Sequence, residues 1–491
     1  MAQLPQFTAS PIDLDSIADF DGRVTVFLSE TGRLSQLARR VNRLMRGALE
    51  RFGESDRFAK MSAGDAVEIP FPTGMAAQAV QVIRLERKPS QEQARKAGAA
   101  IGKALGGSDT LVLLGNQQLA ADIALGCALR AYRYTEMKSE EAPAQGDVTF
   151  MASKPEELES DLAAVSAVAE GVCYTRDLVN KPSNILTTTT FAESLSDMSE
   201  LGLTVEVLEE DQLEELGMHM LLGVGVGSES PSKVVVMQWT GAPDAKAAPL
   251  ALIGKGVVFD TGGISLKPAG GMEDMTMDMG GAGTVAGVMR TLALRKARAN
   301  VVAVVGLVEN MPDGKAQRPG DVVTSLKGDT VEVINTDAEG RLVLGDIMWY
   351  AQERFSPAGM IDLATLTGAI IVALGHEHAG VFSNDDSFAG SFLKAAAAEG
   401  EGAWRMPLGK GYAKLLKSSV ADVKNIGGRW GGSVTAAEFL HRFVPEGLPW
   451  IHLDIAGVAK PAGATVLAPK GATGWGVMAL DRMIREMFDE G

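Results

Sequence analysis

The amino-acid sequence predicts an α/β fold with a small N-terminal α/β domain and a larger C-terminal α/β domain, whose mostly parallel central sheet is flanked by helices. Strand-like and helix-like patterns alternate on both sides of an acidic, irregular stretch at residues 136–147. A long helical pattern follows that stretch, and 491 residues suffice for two unequal domains or about three. We therefore predict an N-terminal domain at 1–154, a connecting helix and linker at 155–184, and a C-terminal domain at 185–491.

The N-terminal domain is predicted from short apolar runs that alternate with helical patterns. Its strands are expected at residues 23–28, 67–71, 79–85, 110–114 and 148–151. Its helices are expected at residues 32–52, where the pattern is basic and amphipathic, at 90–105 with Ser90 as the cap, and at 118–132. The domain contains neither paired acids nor a phosphate-binding loop. We therefore expect it to serve assembly or regulation rather than chemistry.

The C-terminal domain is expected after a helix at residues 155–179. Further helices are expected at residues 191–200, 211–216, 283–294 and 341–352. Strands are expected at residues 204–208, 233–239, 250–259, 300–309, 330–334, 360–364, 370–374 and 450–456. Ligands of open parallel sheets bind at the carboxyl ends of the strands, and Asp260 and Asp337 are expected at such ends.

The most informative stretch is residues 335–342, which read Asn-Thr-Asp-Ala-Glu-Gly-Arg-Leu and follow a β-branched run. Asp337 and Glu339 are two residues apart, so both carboxylates point to one side if the segment is extended. Two converging anions are costly unless a metal ion or a shared proton lies between them. Arg341 continues the spacing and would offer a planar cationic fork to an anion. The alternative is a solvated acidic strand end with Arg341 as a local counter-charge.

Matching polar residues lie upstream of this stretch. Asp260 and Asp278 occupy glycine-rich loops beside apolar runs. Lys255 lies inside the apolar run 252–259, so its amine either extends to solvent or has a lowered pKa, which would let the neutral amine bind a metal ion. Together with the two acids of the 335–342 stretch, these residues supply four carboxylates and one amine. Such a set is sufficient for two divalent ions that share bridging oxygens and activate water.

Several short motifs follow one another between residues 254 and 342. They are Gly254-Lys255-Gly256 through Asp260-Thr261-Gly262-Gly263, then Lys267-Pro268, Asp278-Met279, Arg318-Pro319-Gly320-Asp321-Val322 and the stretch 335–342. In this order the motifs resemble the leucine aminopeptidase family, the two-metal cytosol aminopeptidases. The resemblance extends from about Asn180 to the C-terminus, and no motif of comparable strength occurs in the first 150 residues.

The resemblance implies a metal-dependent aminopeptidase, a hydrolase that removes leucine or another mainly apolar residue from the N-terminus of a peptide. It implies two divalent ions per subunit. One ion would be held by Asp260, Asp337 and Glu339, and the other by Lys255, Asp260, Asp278 and Glu339. Zn²⁺ or Mn²⁺ suits amine and carboxylate ligands better than Mg²⁺, which loses its water ligands reluctantly.

The resemblance also implies roles for residues around the ions. Lys267 would stabilise the developing oxyanion, and Arg341 would hold a bicarbonate ion that serves as general base. Met275 would line the pocket for the first side chain of the substrate, and the backbone of Leu366 would contact the substrate. Asp454 lies on a predicted strand and is expected to be a hydrogen-bonded structural acid, because the family does not use it as a ligand. A homohexamer is the usual assembly in the family.

Composition argues against several classes of partner. The net charge of −16 disfavours nucleic acid, because binding to phosphates depends on lysine and arginine. Cys127 and Cys173 are the only cysteines, too few for a disulfide framework. The N-terminal 20 residues lack the apolar core of a signal peptide, and no run approaches the roughly 18 apolar residues of a membrane span. We expect a soluble cytoplasmic protein whose partners are peptides with a free N-terminus.

Two other functions are compatible with clustered acids. A two-metal phosphoesterase would use them, but an amine ligand and a methionine-lined pocket suit a phosphate substrate poorly. A catalytically silent structural or DNA-binding relative should have lost some of the ligands, and no ligand is substituted here. The motif His376-Glu377-His378 lacks the second histidine of a zinc-protease helix, since position 380 is glycine.

Overall fold

A computed structural model describes residues 4–140 and 143–489, which form two compact units. The first unit contains the described residues up to Cys173 together with Gly463–Lys470. The second contains Tyr174–Ala462 and the described residues from Gly471 onward. The division falls within a long helix, Pro155–Asn180. Within the two described ranges, no helix is both long enough and apolar enough to cross a membrane.

The first unit is built on six strands. The strands are β1 (Phe7–Ser10), β2 (Arg23–Leu28), β3 (Ala66–Pro70), β4 (Ala79–Arg84), β5 (Thr110–Gly115) and β6 (Val148–Ala152). The helices are α1 (Ser16–Asp19), α2 (Gln36–Leu44), α3 (Ala48–Gly53), α4 (Asp56–Ala59), α5 (Gln91–Ala104) and α6 (Ala120–Ala131), and α7 (Pro155–Asn180) follows. The strand order is β1-β6-β5-β2-β4-β3, and neighbouring strands are parallel except for β3 and β4.

Local chemistry explains where these elements form. The buried side chains of Val24 and Val26 in β2 pack in one core with Val41 of α2, as expected for a parallel strand covered by helices. Helix α5 begins with a capping box: the N–H of Gln93 donates to Ser90 Oγ at 3.2 Å, and the N–H of Ser90 donates to Gln93 Oε1 at 3.0 Å. The predicted cap at Ser90 is confirmed.

The single basic helix predicted at residues 32–52 is wrong. Two helices, α2 and α3, occupy this region, because Arg46 and Gly47 take left-handed φ angles of 53° and 82°. A right-handed helix cannot continue through two successive left-handed residues. The other strands and helices predicted for this unit are confirmed to within a few residues at each end.

The second unit is larger. Its strands are β7 (Thr204–Leu208), β8 (Lys233–Thr240), β9 (Leu250–Asp260), β10 (Asn300–Asn310), β11 (Val322–Thr324), β12 (Thr330–Glu332), β13 (Gly359–Ala364), β14 (Ala379–Ser383), β15 (Ala403–Arg405), β16 (Val423–Lys424) and β17 (Trp450–Asp454). Its helices are α8 (Thr188–Ser196), α9 (Glu210–Leu216), α10 (His219–Gly225), α11 (Gly280–Leu294), α12 (Gly340–Phe355), α13 (Gly368–Leu374), α14 (Asp386–Glu399), α15 (Lys410–Ala413), α16 (Gly432–His441) and α17 (Val477–Ile484). Short 3₁₀ segments lie at Asp197–Leu201, Met272–Met277 and Lys414–Leu416, and a π segment at Arg485–Asp489.

The main sheet of the second unit has the strand order β15-β14-β17-β13-β9-β10-β8-β7. Its centre, from β17 to β10, is parallel, and β15 is parallel to β14. The pairs β14–β17, β10–β8 and β8–β7 are antiparallel. Strands β11, β12 and β16 form a separate three-stranded sheet. The predicted two-domain α/β fold with a mostly parallel central sheet is confirmed.

Alternation along β9 allows helices to pack on both faces of the main sheet. Gly254 faces α11, where an added Cβ would lie 2.6 Å from the Cα of Ala282, so this approach requires glycine. Ile253 points to the other face and is buried in a core that includes Val343 of α12. Lys255 shares that face, which brings its amine to the start of α12.

Two predicted strands differ from the structure. Residues 370–374 belong to helix α13, which Thr367 caps by accepting a hydrogen bond from the N–H of Ile370 at 3.1 Å. Short apolar runs do not separate strand from helix by pattern alone. Residues 330–334 are a strand only at Thr330–Glu332, which is β12 of the three-stranded sheet. Asp337 therefore does not follow a strand of the main sheet, contrary to expectation.

Candidate metal centre

The centre is built where β9 ends. Asp260 is the last residue of β9, as predicted, and the N–H of Gly262 donates to its Oδ1 at 2.9 Å. Gly262 has a φ of 87°, and an added Cβ would lie 2.5 Å from the carbonyl oxygen of Ser265. Only glycine therefore suits the turn that holds the Asp260 carboxylate in place.

Asp278 enters the centre from a different element. It follows the 3₁₀ segment Met272–Met277 and precedes α11. Its Oδ1 accepts hydrogen bonds from Thr365 Oγ1 at 2.8 Å and from Lys255 Nζ at 2.7 Å. Lys255 lies on β9, and Thr365 directly follows β13, which pairs with β9. The two residues that bind the Asp278 carboxylate therefore come from adjacent strands.

Asp337 and Glu339 lie in a turn between β12 and α12, and the extended segment assumed from their spacing is wrong. Glu339 is the N-cap residue of α12, with helical φ and ψ of −76° and −36°. The N–H of Asp337 donates to Asn335 Oδ1 at 2.9 Å. The turn nevertheless brings the two carboxylates together with Asp260, since one oxygen of each lies within 4.8 Å of the others. The predicted convergence is thus produced by a turn instead of a strand.

Lys255 is the internal cation of one half of the centre. Its Nζ lies 2.7 Å from Asp278 Oδ2 and 2.9 Å from Glu339 Oε1, and its side chain is 2% exposed. Burial alone would lower the pKa of Lys255, but the surrounding carboxylates outweigh burial and raise this pKa above the ordinary lysine value. The side chain of Lys255 is therefore not extended to solvent, and these surroundings raise its pKa instead of lowering it, contrary to both expectations.

Lys267 is the internal cation of the other half. Its Nζ lies 2.6 Å from Asp260 Oδ2 and also pairs with Asp337. Burial opposes the charge of Lys267, yet the neighbouring carboxylates outweigh burial and raise its pKa. The side chain is 19% exposed, so this ammonium reaches the acids from the open side of the centre.

Burial opposes ionisation of the acids. It raises the pKa of Asp260 and of Asp278, and it raises the pKa of Asp337 to about 6. Burial also opposes the charge of Glu339, but the two ammonium groups outweigh burial and lower its pKa. Four carboxylates face two ammonium groups, which leaves a formal charge of −2 in a mostly buried site.

This donor set fits divalent cations. Glu339 Oε2 is buried and accepts no hydrogen bond from the described residues, a costly state for a carboxylate oxygen. The oxygens of Asp260, Asp337 and Glu339 are close enough to share one ion. Lys255 Nζ lies next to both Asp278 and Glu339, so these three residues are close enough to be ligands of a second ion. The excess negative charge has the sign that cations neutralise.

Arg341 lies in the first turn of α12 and is buried. Its Nη1 donates to the carbonyl oxygen of Asn425 at 2.7 Å, and its Nε donates to no residue that the structure describes. Its guanidinium forms no ion pair with a described carboxylate, although Glu339 and Asp454 lie close enough to favour its charge. Burial lowers the pKa of Arg341 to about 10. A buried guanidinium donor is thus available to an anion.

The remaining predicted residues lie at the edge of the centre. Met275 is half-buried in the 3₁₀ segment, and its carbonyl oxygen accepts from the N–H of Asp278 at 3.3 Å. The N–H of Leu366 donates to Asp454 Oδ1 at 3.1 Å, and no described residue donates to the Leu366 carbonyl oxygen. Asp454 is fully buried and also accepts from Thr367 Oγ1 at 2.6 Å. The expectation that Asp454 is a hydrogen-bonded acid is confirmed.

Sequence reasoning misses two buried asparagines. Asn310 ends β10, and its Nδ2 donates to Asp260 Oδ1 at 2.7 Å and to the carbonyl oxygen of Thr336 at 3.0 Å. It thereby joins the end of β9 to the acidic turn, and its place directly after a predicted strand was the available signal. Asn425 follows β16 and contacts the same turn from 90 positions away, with no motif around it to mark it.

Two domains of one family match the chain. The catalytic domain of the cytosol aminopeptidase family matches residues 173–480, and the N-terminal domain of that family matches residues 24–141. A probable cytosol aminopeptidase from Cereibacter sphaeroides is 63% identical over 478 residues, which cover 97% of this chain and 98% of that protein. Another, from Caulobacter vibrioides, is 47% identical over 97% of this chain and 99% of its own.

Solved structures show the same architecture. A mutant of tomato leucine aminopeptidase superposes with a TM-score of 0.85 at 31% identity, covering 98% of this chain and 96% of that chain. The bottromycin maturation enzyme BotP in complex with Mn has a TM-score of 0.81 at 33% identity, covering 95% of this chain and 99% of its own. Both domains and the acidic centre lead to one conclusion: the chain belongs to the cytosol aminopeptidase family and is a metal-dependent hydrolase that removes N-terminal residues from peptides.

Proposed function

We propose that the protein removes leucine and other mainly apolar residues from the N-terminus of peptides with the help of two divalent ions per subunit. One observation carries this function: Asp260, Asp337 and Glu339 converge within 4.8 Å beside the buried pair of Lys255 and Asp278. Amine and carboxylate ligands suit Mn²⁺ or Zn²⁺. The relative BotP, solved in complex with Mn, supports manganese.

The ligands divide into two sets that share two residues. One ion would be held by Asp260, Asp337 and Glu339, with the backbone carbonyl of Asp337 as a further donor. The other would be held by Lys255, Asp260, Asp278 and Glu339. The position of Glu339 supports this division, because its Oε1 lies 2.9 Å from Lys255 Nζ while the same carboxylate belongs to the cluster with Asp260 and Asp337. Lys255 would bind as a neutral amine, so its ammonium group would give up a proton to an ordinary buffer base, and ion binding would weaken at low pH.

Lys267 stabilises the oxyanion that develops on the scissile carbonyl group. The ions, when bound, supply Lewis acidity toward that carbonyl group and toward a water molecule. Lys267 is already held at the centre by Asp260, at 2.6 Å, and by Asp337. These contacts place a cationic donor directly beside the proposed ligands, where it can act on negative charge that develops on the substrate.

Arg341 holds a bicarbonate ion that serves as general base. The guanidinium is buried, forms no ion pair within the described chain, and is fixed on one side by the carbonyl oxygen of Asn425. A planar anion matches the planar donor fork of arginine. The four acids of the centre are committed to ion binding, so a borrowed anion supplies the base that no side chain offers.

Two residues at the edge of the centre bind the substrate. The Leu366 N–H is engaged by Asp454, but the Leu366 carbonyl oxygen accepts no hydrogen bond from the described chain and is free to accept one from the substrate. Met275 is half-buried in the segment that leads to Asp278. Its flexible thioether side chain suits apolar groups of different shape.

We further propose that the protein is a cytoplasmic homohexamer. The relatives at 63% and 47% identity are described as cytosol aminopeptidases, which supports the compartment. The assembly is expected because hexamers are usual in the family that the motifs resemble. Sedimentation equilibrium should give a mass six times the 51.6 kDa of one chain. A mass of one or two chains at micromolar concentration would exclude the hexamer.

Hydrolysis of leucine p-nitroanilide by metal-stripped protein tests the proposed function. Added Mn²⁺ or Zn²⁺ should restore activity to the wild type and to the Glu353→Ala control, an exposed acid on the same helix as the centre. The Glu339→Ala variant should stay inactive. If the metal-loaded wild type cleaved p-nitrophenyl phosphate but none of a panel of aminoacyl p-nitroanilides, the proposed substrate class would be wrong.

A further inference from the structure

We propose that Asn425 is a positioning residue that forms the metal-binding turn before any ion binds and connects this turn to Arg341. Its role rests on the two-metal function proposed above, because the turn carries Asp337 and Glu339. Asn425 is fully buried although it lies at the end of a two-residue strand, β16. A buried amide must satisfy its donors and acceptor, and here all its partners belong to one short segment.

The side chain of Asn425 binds four backbone groups of the turn. Its Oδ1 accepts from the N–H groups of Ile334 at 2.9 Å and of Asn335 at 3.3 Å. Its Nδ2 donates to the carbonyl oxygens of Asn335 at 2.7 Å and of Ala338 at 3.4 Å. The segment between β12 and α12 has no strand partner at these positions. The Asn425 side chain therefore supplies the hydrogen bonds that a neighbouring strand would provide if this segment continued β12.

The backbone of Asn425 extends this contact in both directions. Its N–H donates to the carbonyl oxygen of Glu332, the last residue of β12, at 3.0 Å. Its carbonyl oxygen accepts from Arg341 Nη1 at 2.7 Å, on the helix that follows the turn. Since β16 pairs in parallel with β12, Asn425 reaches the turn at a defined register. One residue thus contacts the strand before the turn, the turn itself and the helix after it.

Other contacts hold the opposite side of the turn. Thr336 Oγ1 donates to the carbonyl oxygen of Gly262 at 2.6 Å, and the N–H of Thr336 donates to Ser265 Oγ at 3.1 Å. These bonds connect the turn to the loop after β9. They leave the N–H groups of Ile334 and Asn335 and the carbonyl oxygen of Ala338 to Asn425, while the carbonyl oxygen of Asn335 also accepts from the N–H of Ala338 at 3.2 Å. Loss of the Asn425 amide should therefore loosen the turn without detaching it from β9.

Hydrogen exchange of the metal-free protein tests this role directly. In the wild type, the amides of residues 334–339 should exchange slowly without any ion. In Asn425→Ala these amides should exchange at least about tenfold faster, and Asn425→Ser, which keeps one polar atom, should lie between the two. By calorimetric titration, the affinity for Mn²⁺ should fall about 10- to 100-fold in Asn425→Ala, the range expected for residues that orient ligands. The kcat should fall more than KM rises.

Asn300, the first residue of β10, offers a matched control for Asn425. It is also buried, and its amide also bridges backbone groups: Nδ2 donates to the carbonyl oxygens of Asp244 and Ala247, and Oδ1 accepts from the N–H of Ala242. Asn300→Ala should speed exchange near residues 242–247 while leaving Mn²⁺ affinity and exchange at 334–339 unchanged.

Three results would overturn the positioning role. One is rapid exchange of residues 334–339 in the metal-free wild type, a measurement that needs no variant to fold. Another is a folded Asn425→Ala with wild-type exchange and Mn²⁺ affinity, and the third is an equal loss of Mn²⁺ affinity in Asn300→Ala. An inactive wild type with slow exchange at 334–339 would instead contradict the proposed function and leave the preformed turn standing.

Discussion

Lys255 and Lys267 offset part of the charge of the four acids that share the buried site. Each ammonium lies within hydrogen-bonding distance of carboxylates and offsets part of their charge, which lowers the cost of burying them. Their proposed roles differ after ions bind. In the proposed function, Lys255 would become a ligand and lose its proton, whereas Lys267 would keep its charge for the substrate.

Replacing Lys267 with methionine separates these roles. Lys267→Met keeps most of the side-chain volume but removes the ammonium that we assign to the oxyanion, so kcat should fall about 10²- to 10³-fold, as for loss of one oxyanion donor. Asp260 and Asp337 lose only a competing cation, so both ions should be retained. Elemental analysis and steady-state kinetics measure the two effects, with exposed Lys315→Met as control. Loss of both ions in Lys267→Met would show that this lysine is structural.

Gly340 controls the position of the Lys255 amine. A Cβ at residue 340 would lie 2.6 to 2.7 Å from the Cδ, Cε and Nζ atoms of Lys255. Alanine favours a helix over glycine by about 1 kcal/mol, so Gly340→Ala need not lower the melting temperature. It should displace the amine, reduce the bound ions from two to about one per chain, and lower kcat at least tenfold. Gly314→Ala, where an added Cβ meets nothing within 4 Å, should change neither quantity.

The charged residues of the centre were visible in the sequence, but the residues that orient them were not. Lys255 interrupts an apolar run, and the acids stand in glycine-rich loops, so residue type and setting revealed them. Asn310 and Asn425 act through contacts with residues 50 and 90 positions away. A single sequence does not contain such long-range contacts. The pKa of Lys255 was mispredicted for the same reason, because it depends on Asp278 and Glu339 from distant segments as well as on Asp260 of the same strand.

At the scale of elements, α12 links the centre to the core. Arg341 lies in its first turn, and Asp346 lies near its middle. Asp346 Oδ2 accepts a hydrogen bond from the N–H of Leu221 at 3.0 Å, and Asp346 Oδ1 accepts one from the N–H of Leu326 at 2.8 Å. Burial nevertheless raises the pKa of Asp346 from 3.8 to about 7. The carboxyl group therefore couples the seating of α12 to pH.

The sign of this coupling follows from the raised pKa. Well below pH 3.8 Asp346 is protonated in both the folded and the unfolded chain. Between pH 3.8 and about 7 the carboxyl group ionises in the unfolded chain but stays protonated in the folded chain, so the free energy of unfolding falls as pH rises through this range. Between pH 5 and pH 8 the wild type should lose about 2 to 3 kcal/mol relative to Asp346→Asn, at about 1.4 kcal/mol per pKa unit. Urea unfolding at both pH values measures this difference, with exposed Asp313→Asn as control. A gap that stays constant with pH would contradict it.

Elements were predicted well where the pattern was long and poorly where it was short. The helices α5, α7 and α12 and the strands β9 and β10 are found close to their predicted bounds. The apolar residues 370–374 became helix α13 because a threonine cap decided between two states that the pattern leaves equal. The basic pattern at 32–52 predicted one helix instead of two, because the sequence gives no signal that Arg46 takes a left-handed conformation.

For the whole molecule, the sequence predicted the class of fold but not the order in which the strands pair. Alternating patterns and an acidic stretch at 136–147 were enough to expect two α/β domains. The strand order of the main sheet and the separate β11-β12-β16 sheet were not predictable, because they depend on which distant strands pair. That small sheet matters for the proposed function, since β12 leads into the acidic turn and β16 leads directly into Asn425.

The most direct test of the two-metal centre is a count of bound ions. Wild-type protein saturated with Mn²⁺ and dialysed should contain two ions per chain by elemental analysis. Asp337→Ala and Asp278→Ala should each contain about one, because each acid belongs to a single ligand set, and Glu339→Ala should contain fewer than one, because Glu339 belongs to both. One ion per chain in the wild type, or two in all three variants, would contradict the two-metal centre.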